Sequence, residues 1–189
     1  MQLIARTLSP SATDLLRADH TRVLAAFHRY HHEMSPRMKR GIVETIGVAL
    51  EVHAQVEEEL LYPAMRAADT ELVEKSIPEH DDMRTHIAAL RGMEAGSHEF
   101  DETFFELMHA VMHHVADEET RLFPDAERLL GGRLAQLGVR MARRRLQLGA
   151  PRAAEMARNL GRRVPPGAML AAFIGVLAGA LVYRQALRR

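Results

Sequence analysis

The chain has 189 residues, with 25 Lys and Arg against 25 Asp and Glu, 11 His, and 47% hydrophobic side chains. That is one ordinary domain plus extensions, with enough apolar surface for a core. Cysteine is absent, which excludes disulfides, zinc–thiolate sites, iron–sulfur clusters and thiol redox chemistry.

Ala, Leu, Glu, Arg and Met dominate, Trp is missing, and β-branched runs are scarce, a composition that favours helix. A first helix is expected after Ser11 or Thr13 and on to about His32, with Ser11 and Asp14 spaced as a capping box. Its stripe of Leu16, His20, Val23, Leu24 and Phe27 turns His20 toward the core side. Ser35-Pro36 fits the start of a second helix, running to about Arg66 through Ile42, Ile46, Ala49, His53, Glu57 and Leu60. A shorter third helix is expected after Pro78, carrying His80, Met83, Ile87 and Leu90 and ending near Gly92. A fourth runs from about Phe100 to Leu130, with Pro124 kinking or ending its last turns and Gly131-Gly132 closing it.

The chain repeats itself. HAQVEEELLYP, beginning at His53, recurs as HVADEETRLFP, beginning at His114. In each copy a Glu follows the His by four residues and a Pro follows that Glu by six. Residues four apart share one helix face, so each copy aims an imidazole and a carboxylate at one point. His20 precedes His53 by 33 residues and His80 precedes His114 by 34, which extends the repeat to a doubled helical hairpin. The fold predicted is all-α: an up-down four-helix bundle over residues 1–130. Facing helices of such bundles build metal sites from inward His and Glu. One buried His is ordinarily just packed, but four imidazoles and two carboxylates are costly to bury together without a cation. Donors without thiolate suit iron, manganese or zinc.

These motifs resemble the hemerythrin-like family of HHE cation-binding domains, over about residues 10–130. The resemblance implies two iron ions, with manganese or zinc ranked behind. One metal would be held by His20 and His53 and the other by His80 and His114, bridged by Glu57 and Glu118. The oxygen carriers of the family place a further His one turn along the third helix; here that position is Arg84. Those carriers also separate the last His and carboxylate by five residues, whereas the repeat here favours four. Glu58 is a candidate to replace the absent ligand. His28, His31, His32, His98, His109 and His113 read as surface or supporting groups, and Tyr62 and Phe123 as packing around the site.

The resemblance implies binding or sensing of a small diatomic ligand, peroxide or iron. The alternatives are a di-iron enzyme (peroxide dismutation, nitric oxide reduction or iron–sulfur cluster repair) and a helical scaffold with a degenerate site.

Charge divides the chain. Residues 1–130 hold 24 acidic and 13 basic side chains, and residues 131–189 hold one Glu and 12 Arg. Residues 131–164 read as an Arg-rich amphipathic stretch, broken near Gly149-Ala150-Pro151. Residues 165–189 read as a membrane-spanning or membrane-associated helix, since Gly167 to Tyr183 carries no charge over 17 residues. Arg-rich flanks suit an anionic leaflet. With no secretion signal at the N-terminus, the expectation is a cytoplasmic domain anchored to the membrane by its tail. Gly175 and Gly179 suggest a homodimer contact through that helix. Nucleic acid is disfavoured as a partner, because no aromatic platform accompanies the arginines.

Overall fold

The computed structural model describes residues 10–66 and 70–161. Among these the fold is all-helical, in the order α1 (Ala12–His28), α2 (Pro36–Val56), π1 (Glu57–Leu61), α3 (Tyr62–Met65), α4 (Thr70–Gly92), α5 (His98–Asp117), π2 (Glu118–Leu122), α6 (Phe123–Leu130) and α7 (Arg133–Gly161). Residues Ser9–Arg145 form one compact unit. A second contains Leu146–Arg189, of which residues 146–161 are described and helical.

The helix starts follow the caps in the sequence. Ser11 accepts from the Asp14 N–H while Asp14 accepts from the Ser11 N–H, completing the capping box. Ser35, followed by Pro36, caps α2, and Ser97 caps α5 through the Phe100 N–H. Gly131, with φ of 46°, ends α6 in a conformation that suits glycine.

α1 packs on α2 and α5, α2 on α4, and α4 on α5. Their inward stripes form one apolar core containing Phe27, Tyr30, Val43, Ile46, Leu50, Ile87, Leu90, Phe100, Phe104, Leu107 and Val111. Phe104 stacks on Tyr30, with ring centres 3.8 Å apart, and meets Phe27 edge-on. Continuing the same stripes, Leu50 leads to His53 and Glu57, and Val111 leads to His114 and Glu118, so polar side chains extend an apolar layer.

Away from those histidines the core holds a charge. Lys39 is buried, and Nζ meets Asp101 Oδ1 and Oδ2 at 2.5 and 2.7 Å. The Tyr30 hydroxyl donates to the same Asp101.

Two prolines do not act as expected. α4 begins at Thr70 and passes through Pro78, and α7 passes through Pro151. A proline removes one backbone donor and need not end a helix whose other bonds and packing persist. At Pro78 the side exposed to solvent is the one affected, since Glu74 and Pro78 are not buried.

The membrane expectation is corrected. No helix among the described residues is long and apolar enough to cross a membrane. The apolar side of the first turns of α7 is instead covered by protein: Leu134, Leu137 and Met141 are buried within the Ser9–Arg145 unit. The contact is close, because a Cβ on Gly138 would lie 2.5 Å from the Pro10 carbonyl oxygen. The segment 167–183, including Gly175 and Gly179, lies outside the described residues.

Three substitutions have expected outcomes. Gly138→Ala should lower stability by about 1–3 kcal/mol through overpacking. Gly41→Ala, with open space around its Cβ, should raise it by about 0.5–1 kcal/mol; urea unfolding measures both. Asp101→Asn should cost roughly 3 kcal/mol at neutral pH by stranding buried Lys39. Burial pushes the Asp101 carboxyl up, but Lys39 and Tyr30 outweigh it and hold it below the usual carboxylate range. A lowered carboxyl stabilises the fold above its unfolded value, near pH 4, and that contribution disappears as pH falls through the folded value. The variant should therefore show a flatter acid limb in stability against pH.

Candidate metal centre

The sequence places Tyr62 five residues after Glu57 and Phe123 five after Glu118. On an α-helix, five residues correspond to about 140° of rotation, which would turn each ring away from its carboxylate. The helix instead widens at these two points. In π1 the Tyr62 N–H bonds back to the Glu57 carbonyl, and in π2 the Phe123 N–H bonds to the Glu118 carbonyl. Pro63 and Pro124 follow directly, each withholding the N–H that would continue the narrower ladder. Glu57, Tyr62, Glu118 and Phe123 are consequently all buried. Single π-turns inside α-helices are frequent at functional sites.

All six sequence-predicted residues meet in one interior cage. His20, His53, His80 and His114 are 1–5% exposed, and Glu57 and Glu118 are 0% and 1% exposed. The Nε2 atoms pair off: His20 and His53 lie 3.4 Å apart, and His80 and His114 lie 3.2 Å apart. Glu57 Oε2 is 3.1 Å from His53 Nε2 and 3.4 Å from His80 Nε2. Glu118 Oε2 is 3.3 Å from His20 Nε2 and 3.4 Å from His114 Nε2. Each carboxylate thus reaches one imidazole of each pair. Donor atoms of His53, Glu57, His114 and Glu118 all lie within 4.8 Å of one another.

The four-residue register prevails on π2 and α5. His114 points inward, while His113 is 67% exposed and lies near Glu79 and Asp117. Lys75 is ion-paired to both of those acids, so this second His–carboxylate group belongs to a surface charge network.

The far side of the imidazoles is also ordered. His20 Nδ1 meets Glu119 at 2.9 Å, His80 Nδ1 meets Glu58 at 2.9 Å, and His114 Nδ1 meets Glu79 at 3.0 Å. Behind His53 stands Asp19, at 3.9 Å. The arrangement is twofold: Asp19 corresponds to Glu79, and Glu119 to Glu58. Glu58 therefore faces the back of His80, where Arg84 also binds it at 2.7 Å, rather than serving as an inward donor. Glu79 and Asp19 were missed in the sequence. The available signal was an acid immediately before His20 and His80, matching the acid immediately after Glu57 and Glu118.

Tyr62 does more than pack. Its hydroxyl donates to Glu118 Oε1 at 3.1 Å and lies 3.4 Å from Glu57 Oε2 and His80 Nε2. Its ring stacks on His80, as Phe123 stacks on His20.

The cage attracts positive charge. Burial opposes charging of His53, but the Glu57 carboxylate overrides it and holds the imidazole well above its ordinary pKa. Burial likewise opposes ionisation of Glu57, and His53 and His80 overcome that, keeping its carboxyl well below the usual range. Burial and the two carboxylates push the Tyr62 phenol well up, so it remains a proton donor. Glu57 Oε1, Glu118 Oε2 and His53 Nδ1 are buried without a hydrogen-bond partner. Orphaned carboxylate oxygens beside converging imidazole nitrogens fit a cation.

The sequence profile of the hemerythrin HHE cation binding domain matches residues 11–126. The chain belongs to this family. A hemerythrin HHE cation binding domain-containing protein from Mycobacterium kansasii has a similar crystal structure, with a TM-score of 0.64 over 78% of this chain and 91% of that one. At 19% identity, that likeness speaks for the fold. A relative described as a DNA nickase, from Nostoc sp. (strain PCC 7120 / SAG 25.82 / UTEX 2576), is 29% identical over 114 residues, 58% of this chain. This HHE-family chain spans about a third of that relative's length, 32%.

Tyr62→Phe should destabilise the fold by about 1–2 kcal/mol, since it strips a donor from buried Glu118 while leaving the stacking on His80 intact. Guanidinium unfolding of the metal-free protein measures the loss.

Proposed function

We propose that this chain is a non-haem di-iron protein of hemerythrin type that binds or senses oxygen, nitric oxide, peroxide or iron. His20 and His53 would hold one metal, His80 and His114 the other, with Glu57 and Glu118 shared between them. The observation that carries this reading is the convergence of four Nε2 atoms, in two close pairs, on two carboxylates with buried unpartnered oxygens. Imidazole with carboxylate also accommodates manganese and zinc. The family membership and the shared carboxylates favour iron. When bound, the metal pair would supply redox chemistry toward small oxygen- or nitrogen-containing ligands.

The chain's own residues orient and insulate. Glu119, Glu58 and Glu79 each accept from an Nδ1, fixing the tautomer that turns Nε2 inward. Tyr62 holds a proton beside Glu118 and Glu57. Phe123 and the layer of Leu50, Ile87 and Val111 exclude water. Arg84 occupies the helix position where the oxygen carriers have a further ligand, and it binds Glu58 and Asp81 instead. Fewer protein donors leave room for an exogenous ligand, which favours reactivity or sensing over simple oxygen carriage.

Iron-reconstituted full-length protein should hold about two metals per chain, with Mössbauer and optical spectra that respond to oxygen, peroxide or nitric oxide. His53→Ala combined with His114→Ala should abolish that content. Removing metal should lower Tm, since a ligand at about 100 times its Kd contributes about 2.7 kcal/mol. A wild-type protein that takes up no transition metal would leave only a helical scaffold. Steady-state turnover of peroxide or nitric oxide would move the reading from sensor to enzyme.

A further inference from the structure

Three of the four cage imidazoles are hydrogen-bonded from behind by a carboxylate, and His53 is the exception. Its Nδ1 is buried and without a partner. The acid placed to accept from it, Asp19, is itself buried, yet its Oδ2 stops 3.9 Å away, beyond hydrogen-bond reach. The cause lies on the other carboxylate oxygen. Asp19 Oδ1 is held by Arg22 at 2.7 Å and by Arg145 of α7 at 2.5 Å. The twofold counterpart, Glu79, has no arginine pairing with it among the described residues: Lys75 stands at 3.5 Å and His113 at 3.8 Å from its Oε1, while its Oε2 bonds His114 Nδ1 at 3.0 Å.

Arg145 does not act alone on α7. Arg144 forms a two-pronged pair with Glu59 in π1, at 2.6 and 2.9 Å, two residues beyond Glu57. One turn earlier Met141 is buried beside a small cavity that also borders Asp19, His53 and Arg145. The stretch of α7 up to Arg145 is therefore fastened to the two segments that carry His20 and Glu57.

We infer that Arg145 couples α7 to the metal centre by competing with His53 for Asp19. This rests on the proposed di-iron reading. A cation on Nε2 fixes the proton of His53 on Nδ1 and strengthens it as a donor. Asp19 then turns toward the ring, and its grip on Arg145 weakens. Coupling of this kind is reciprocal: by whatever factor Arg145 weakens metal binding, metal weakens the Arg145 contact. Arg145 is a positioning residue that acts through Asp19, and residues 133–145 register whether the centre is filled.

The signs of the test differ between variants. With Zn(II) as a redox-silent probe, titrated into metal-free full-length protein, Asp19→Asn should bind about tenfold more weakly. Arg145→Gln should bind about three- to tenfold more tightly, and Arg145→Lys should return toward wild type. Hydrogen exchange of amides 139–145 should speed up on Zn(II) loading in wild type and show no loading effect in Arg145→Gln. Without any metal, ¹⁵N NMR of Arg145→Gln should show a hydrogen-bonded His53 Nδ1 proton that is missing in wild type. Unchanged or weaker Zn(II) binding in Arg145→Gln, with an unchanged His53 ring, overturns the inference. A protein that binds no metal but gains the His53 Nδ1 bond in Arg145→Gln overturns the di-iron reading and leaves the competition for Asp19 standing.

Discussion

Two carboxylates, Glu57 and Glu118, sit where water cannot reach them, and the rest of the structure is arranged around the cost of burying them there. An isolated buried carboxylate would simply take up a proton. Glu57 does not, because His53 and His80 crowd its oxygens with potential cations. The imidazoles in turn need their own acceptors, which brings a ring of acidic side chains to the surface of the bundle. That ring accounts for part of the excess negative charge in residues 1–130, and Arg145 of α7 answers some of it at Asp19.

The hydrophobic core and the cage are successive layers of the same helices. On the side facing the cage, Leu50 and Val111 are followed a turn later by His53 and His114, which open the polar layer. Rigidity is thereby inherited: the imidazoles project from helices already locked by Phe27, Phe100 and Phe104. A site built on such elements holds its donors in place before any ligand arrives.

The repeat made the six cage residues readable, because a His and a Glu at a spacing of four, twice over, are hard to reconcile with a solvated face. The capping serines were readable for the same kind of local reason. The π-turns were not. The Pro six residues after each Glu is visible, but periodicity assumes a uniform helix, which carries the second helix past Pro63 to Arg66 and makes of Pro124 only a kink or an end. Tyr62 reads as packing from its repeat position, matched by Phe123, and a uniform helix offers nothing to bring its hydroxyl to Glu57. Asp19 and Glu79 were overlooked because their partners lie on another helix, and sequence spacing speaks only of neighbours along one. Pro78 and Pro151 misled in the opposite direction, each overruled by continuous helix on both sides. The arginines of α7 looked like a lipid-facing stripe, whereas Leu134, Leu137 and Met141 face protein.

The twofold plan is also broken inside the cage, by a single oxygen atom. Tyr62 and Phe123 hold equivalent places and lean on equivalent imidazoles, but only one ends in a hydroxyl. Two halves of a duplicated hairpin thus present unlike walls, a phenol against His80 and plain hydrocarbon against His20. The chamber is therefore lopsided: a phenolic hydroxyl lines one flank only, and the otherwise matched positions become distinguishable.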